Sequence, residues 1–320
     1  MPGCAVSLPL QSSNVCAMSQ MEKEIVELIR ARGPLTGAEI RDSVSGENLA
    51  LWQTCRSSPA LETRTLGRRY LRLDQQVEGY ARLSPSILRE FLTYSVTGLA
   101  GDPASLEKRS HEVVCRIEEI SRAKFDLACH LVNGIRSQFE AAWPEDQLCF
   151  ILAGDIVFRM AHDVPRPERS TGKLVRGSDV DLIVVVADQV PEDFIKSLDD
   201  AIHREKYRTL IAPSIREEID YIVKKMERVR EQLLFDIFKR MVACKILQEG
   251  VLLLGSQSIF DAIKALLREK GVLDKLDDLE KQARASRKTA EDYLLRGVAG
   301  KLERADLVLF YSSEESEEFE

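Results

Sequence analysis

The chain is expected to adopt an α+β fold, and three observations support that expectation. Short helical segments and a strand–turn–strand pattern occupy the N-terminal third. A long amphipathic helical stretch follows. The apolar runs LCFILA, IVVVA and GVLLLGS, of the buried-strand type, are then separated by further helices. At ~100–200 residues per domain, 320 residues allow two domains or three small ones. A composition 44% hydrophobic and 30% charged can bury a core. No run of about 18 or more apolar residues is present, which excludes a helical membrane span. A formal charge of −7 excludes a protein that binds nucleic acid over its whole surface, so any such contact must come from a local patch. The seven cysteines are scattered, with no CxxC pair. Neither a zinc ribbon nor a disulfide framework is indicated, and a reducing cytoplasm is the expected compartment.

Residues 1–18 are expected to be a disordered lead-in, an artefact of start-codon choice with Met18 or Met21 as the real start. From 19 to 100 the pattern is helix, helix, helix, hairpin. Ile25, Leu28 and Ile29 recur at helical spacing up to the stop at Gly33-Pro34. Thr36 can cap a second short helix, and a third carries Leu49, Leu51 and Trp52. ALETRTLGRRYLRLD then alternates around Gly67, which suits two strands joined by a turn. This order resembles a winged helix-turn-helix domain, and the resemblance implies contact with DNA or RNA. Between Arg56 and Arg89 the basic residues are all arginine, whose planar fork suits phosphate oxygens and base edges. Arg64, Arg68, Arg69 and Arg72 are the candidate nucleic-acid contacts. Docking of a protein partner is the competing use of such a module.

After Gly101-Asp102-Pro103, residues 103–143 read as a helical connector, with Ile117, Ile120, Phe125, Leu127, Leu131 and Ile135 as its apolar stripe. LCFILA then leads into Gly154-Asp155 and an expected helix start at IVFRMA. A polar loop containing Arg159, His162, Arg166, Arg169, Lys173 and Arg176 follows. Gly177-Ser178-Asp179-Val180-Asp181-Leu182 runs from there into IVVVA. Asp179 and Asp181 are two apart at the start of a strand, so both carboxylates leave by the same face, ~6–7 Å apart at the α-carbon. Two acids there repel each other unless a cation neutralises them.

The strand, the glycine turn and the Asp-x-Asp strand resemble the nucleotidyltransferase superfamily typified by DNA polymerase beta, over residues 147–255. Two departures stand out: the turn is Gly154-Asp155 where the family has Gly-Ser, and the gap to Asp179 is about twice the common one, as if a loop were inserted. The resemblance implies a small mixed-sheet core that moves an NMP group from an NTP to a hydroxyl on a nucleic-acid end, a protein or a small molecule. It implies Mg²⁺ or Mn²⁺ held by Asp179 and Asp181. It also implies Gly154, Asp155, Gly177, Ser178, Lys173 and Arg176 as candidates for binding the nucleotide. A third carboxylate is expected on a later strand, and Ile219-Asp220-Tyr221 has the required apolar–acid–apolar pattern. A helical stripe through Ile215, Ile219, Ile222 and Val223 competes for the same residues.

Residues 226–249 predict one amphipathic helix with Leu233, Leu234, Ile237, Phe238 and Met241 towards a core. Helices over 256–300 resemble the substrate-side helices of nucleotidyltransferases and equally suit homodimerisation. Residues 311–320 form an acidic tail. The alternative function is a non-catalytic nucleic-acid-binding regulator whose core senses a nucleotide.

Overall fold

Ser19 accepts a hydrogen bond from Glu22 N at 3.1 Å and opens α1 (Gln20–Arg32), which stops at Gly33. In the computed structural model, residues 18–139, 143–168, 171–297 and 306–311 are described. Residues 1–17, Arg169 and the tail from 312 onward lie outside them. β1 (Leu35–Thr36) runs into α2 (Gly37–Arg41), where Thr36 and Glu39 make the reciprocal capping box. α3 (Asn48–Ser57) buries Leu49, Leu51, Trp52 and Cys55. The strand–turn–strand expectation is corrected at this point. β2 (Leu61–Thr65) and β3 (Tyr70–Leu73) do not pair. β3 pairs with β4 (Ala81–Ser84), α4 (Ile87–Thr93) follows, and β2 pairs with β5 (Ser95–Leu99). The resulting sheet has the order β1-β5-β2. Gly67 is no hairpin turn. It lets the backbone pass Met160, whose Sδ would lie 2.4 Å from a Cβ at that position.

α5 (Pro103–Ser137) turns Ser110, Val113, Ile117, Ser121, Lys124, Ala128, Leu131 and Ile135 inward. Phe125, expected in its stripe, is exposed. β6 (Leu148–Ala153) is buried throughout. The predicted helix after it does not form. Residues 155–159 are turns, Arg159 has φ 57, and Phe158 leaves helical register to stack on Tyr70 at 4.0 Å. The inserted loop holds a small ladder, β7 (Pro165–Pro167) and β8 (Leu174–Arg176). β9 (Val180–Val186), α6 (Glu192–Ile211) and β10 (Ile219–Lys225) then form a βαβ-type crossover connection, with β10 parallel to β9. Residues 219–225 are therefore strand, not helix.

The single helix predicted over 226–249 is two: α7 (Met226–Gln232) and α8 (Phe238–Glu249). Phe235, at φ 52, is buried at the break, which throws Leu234 and Ile237 out to 61% and 53% exposure. β11 (Val251–Gly255), α9 (Gln257–Glu269) and α10 (Val272–Arg296) complete the order, and a short 3₁₀ turn spans Asp306–Leu309. The central sheet is β10-β9-β6-β11. One face packs Leu148, Phe150, Leu152, Leu182 and Val184 against α5 and α6. The other packs Cys149, Ile151, Ile183 and Val185 against α8, α9 and α10, together with Leu71, Ala81 and Leu83 from the β3–β4 hairpin. That hairpin, from the N-terminal third of the chain, thus serves the core of the central sheet. Among the described residues, no helix is long and apolar enough to cross a membrane, and Cys55, Cys115, Cys129, Cys149 and Cys244 carry free thiols.

Candidate functional site

The acids collect where β6 ends and β9 and β10 begin. Asp220 stands in register with Asp181, so the two share a sheet face, while Ile219, Tyr221 and Val223 pack on the opposite one. Extending both strands backward brings in Asp179 and Glu218. Oxygens of Asp179, Glu218 and Asp220 lie within 4.8 Å of one another. Glu218 was not anticipated from the sequence. Its period-2 spacing from Asp220 was the available signal, once 219–225 was known to be strand.

Gly154, at φ 75, turns the chain beside Asp181; a Cβ there would sit 2.1 Å from Asp181 Oδ2. Asp155 accepts a hydrogen bond from Ser178 Oγ at 2.9 Å and another from Tyr70 Oη, so it braces the loop ahead of Asp179. Gly177, at φ 58, lies against the His162 backbone, where a Cβ would come within 2.0 Å of the carbonyl oxygen. Lys124, buried on α5, donates to Arg176 O at 2.6 Å and Ser178 O at 2.9 Å, and pairs with Glu217. One ammonium therefore ties the segment before β9 to the segment before β10.

These groups open onto a cleft of about 930 Å³, with β3–β4 on one side and α8 on the other. Arg72, Arg82, Arg89, Arg166 and Lys245 bring positive charge to it, and Asp155, Asp179, Asp181, Glu218, Asp220 and Glu249 bring negative charge. Burial, then the neighbouring Asp155, pushes the Asp181 carboxyl up to about 7, with Arg72 acting in the opposite direction. Burial also raises Glu249, against the pull of Lys245. His162 is pushed well below its ordinary value by burial and by Arg89, Lys124 and Arg166; its Nδ1 is buried without a hydrogen-bond partner. A neutral imidazole results.

Of the expected site residues, Asp179, Asp181, Asp220, Gly154, Asp155 and Ser178 line the cleft. Gly177 supports it from behind, its carbonyl oxygen accepting a hydrogen bond from Arg166 Nε at 2.8 Å. Lys173 and Arg176 are exposed on or beside β8, away from the lining residues. With residues 155–159 in turns, no helix N-terminus faces the cleft at Gly154. The four N-terminal arginines separate. Arg64 pairs with Glu62 and Glu107, and Arg69 with Glu90 and Glu291. Arg68 is exposed between β2 and β3, while Arg72 belongs to the cleft. Arg72, expected among the N-terminal arginines, stands with the acids because the hairpin that carries it folds over the central sheet.

The donor set suits a hard divalent cation. It is all carboxylate oxygen, and the buried Glu218 Oε2 has the Arg166 guanidinium, 2.9 Å away, beside it. Compared with known proteins, the chain matches no family model, no curated protein and no solved structure.

Proposed function

We propose that the protein is a divalent-cation-dependent nucleotidyltransferase, with an NTP as donor and a hydroxyl as acceptor. The observation that carries this reading is the convergence of Asp179, Asp181, Glu218 and Asp220, from the starts of two adjacent parallel strands, on a cleft that also holds Arg72, Arg89 and Arg166. Of the expected ligands, Asp179 and Asp220 would hold Mg²⁺ or Mn²⁺ together with Glu218, with Asp181 beside them in the cleft. The ion supplies charge neutralisation at the triphosphate and a lowered pKa for a bound hydroxyl. Arg72 and Arg89 orient the phosphate oxygens. In the transfer the acceptor oxygen bonds to the α-phosphorus, the bond to pyrophosphate breaks, and the half-exposed Asp220 carboxylate takes the hydroxyl proton.

The N-terminal segment is best read as a winged-helix-like module. Its support is the order helix, strand, helix, helix, strand, strand, with the last strand central in β1-β5-β2. On this reading residues 66–94, which include the β3–β4 hairpin, are an insertion within the wing.

The test is incubation with each α-labelled NTP and Mg²⁺ or Mn²⁺, offering the protein itself, total tRNA and DNA as acceptors. Metal-dependent labelling of one acceptor is expected. Asp220→Ala should lower kcat by about 10²-fold or more with little change in KM, since its contact develops in the transition state. Metal-dependent NTP binding without labelling of any acceptor favours the nucleotide-sensing regulator. Absence of NTP binding overturns both readings.

A further inference from the structure

We infer that Arg166 is the built-in counter-ion of the carboxylate cluster, and that it holds the cation position until a triphosphate draws it away. The inference rests on the nucleotidyltransferase reading for the identity of the triphosphate, but not for the placement of Arg166.

Arg166 lies on β7, in the short ladder inserted between β6 and β9. A residue on such a ladder would ordinarily be solvated. Here the side chain is only 13% exposed. Its Nε donates to Gly177 O at 2.8 Å, and Nη2 contacts both Asp179 Oδ1 and, at 2.9 Å, Glu218 Oε2. Asp179 and Glu218 supply two of the three carboxylates that lie within 4.8 Å of one another. The guanidinium therefore engages the oxygens a divalent cation would need. A second cation, Lys206, reaches the cluster from outside, 3.0 Å from the half-exposed Asp220.

A guanidinium and a divalent ion cannot share the same two carboxylates without strong repulsion in a partly desolvated site. Free metal thus meets a site already partly neutralised by the protein. A triphosphate changes the balance, because its oxygens accept the planar fork as well as carboxylates do. Arg166 lines the same cleft. Moving the guanidinium from Asp179 and Glu218 to phosphate frees the acids for the cation that accompanies the nucleotide. Metal and nucleotide then bind with positive coupling through one side chain.

The test is Mn²⁺ titration of the full chain without nucleotide, followed by calorimetry or paramagnetic resonance, beside titration of a non-hydrolysable NTP analogue at saturating Mn²⁺. Wild type should bind Mn²⁺ alone weakly. Arg166→Gln should tighten that binding by about tenfold or more, and weaken the analogue by about tenfold. Lys206→Gln removes the same charge from the exposed side and should tighten Mn²⁺ no more than about fivefold. A folded Arg166→Gln protein with unchanged or weaker Mn²⁺ affinity overturns the inference, as does an equal gain in both variants. If Arg166→Gln does not fold, Arg166→Lys retains the charge without the fork, and a smaller gain in the same direction is expected; no gain overturns the inference. If the analogue binds neither protein, the nucleotide reading fails, while the Mn²⁺ titration still decides the position of Arg166. Equal analogue affinity in both proteins removes the transfer to phosphate.

Discussion

Burial and Asp155 raise the Asp181 carboxyl from an ordinary 3.8 to about 7, so the folded protein holds a proton that the unfolded chain has released. The sign follows directly. Between those two values the native state binds more protons than the unfolded state, and this group makes stability fall as pH rises, levelling off above about 7. Asp181→Asn should abolish that decline. In metal-free buffer its melting temperature should match wild type near pH 3 and exceed it near pH 8. A difference that does not grow with pH in thermal unfolding would refute the assignment. Asp179, two residues earlier, is paired with Arg166. Within the Asp-x-Asp, Asp179 thus has a guanidinium beside it, while burial and Asp155 raise the Asp181 carboxyl.

At the scale of elements, the site depends on two strand starts being held in register from behind. Lys124 does this from α5 through Arg176 O, Ser178 O and Glu217. The ammonium is buried, and desolvation lowers its pKa against the attraction of Glu217. Removing one partner of a buried pair leaves the other uncompensated. Lys124→Met should therefore cost about 3–5 kcal/mol in chemical denaturation. Adding Glu217→Gln should recover part of the loss. A cost below about 1 kcal/mol, the range of surface pairs, would show that the ammonium carries no such role.

For the whole molecule, α10 is the element that joins the two halves. Leu276 and Ala283 lie in the core of the central sheet, while Ala290 and Leu294 lie in the N-terminal core with Phe310. Arg287 pairs with Glu90 and Glu291, and donates to Pro85 O at 2.8 Å. Unfolding is expected to be a single transition. Trp52 reports on the N-terminal core and Trp143 on the α5–α6 side of the sheet. Leu294→Ala, at a fully buried position, should cost about 2–5 kcal/mol. Read in Trp52→Phe and Trp143→Phe backgrounds, the loss should lower both fluorescence transitions together. Separate transitions would show that the halves unfold independently.

The sequence alone determined the elements whose signal is local. Thr36 as a cap, the buried run at 148–153 and the Asp-x-Asp entering IVVVA each depend on neighbours within a few residues, and each stands where expected. The same holds for Asp220, whose apolar neighbours at 219 and 221 marked the face it leaves. What depended on distant partners was not legible. Alternation in β2 and β3 says that each is a strand but does not name its mate, and β5 lies far along the chain. An arginine in a polar loop reads as solvated, so Arg166 joined the acids only through tertiary packing, and Arg72 reached the cleft only because its hairpin covers the central sheet. The helix expected at 156 and the unbroken helix over 226–249 failed for the same cause. Stacking of Phe158 on Tyr70 and burial of Phe235 are nonlocal contacts, and they outweigh the few tenths of a kcal/mol per residue that local helix propensity supplies. Local patterning specified which atoms the chain carries to the cleft, and long-range burial decided which of them meet.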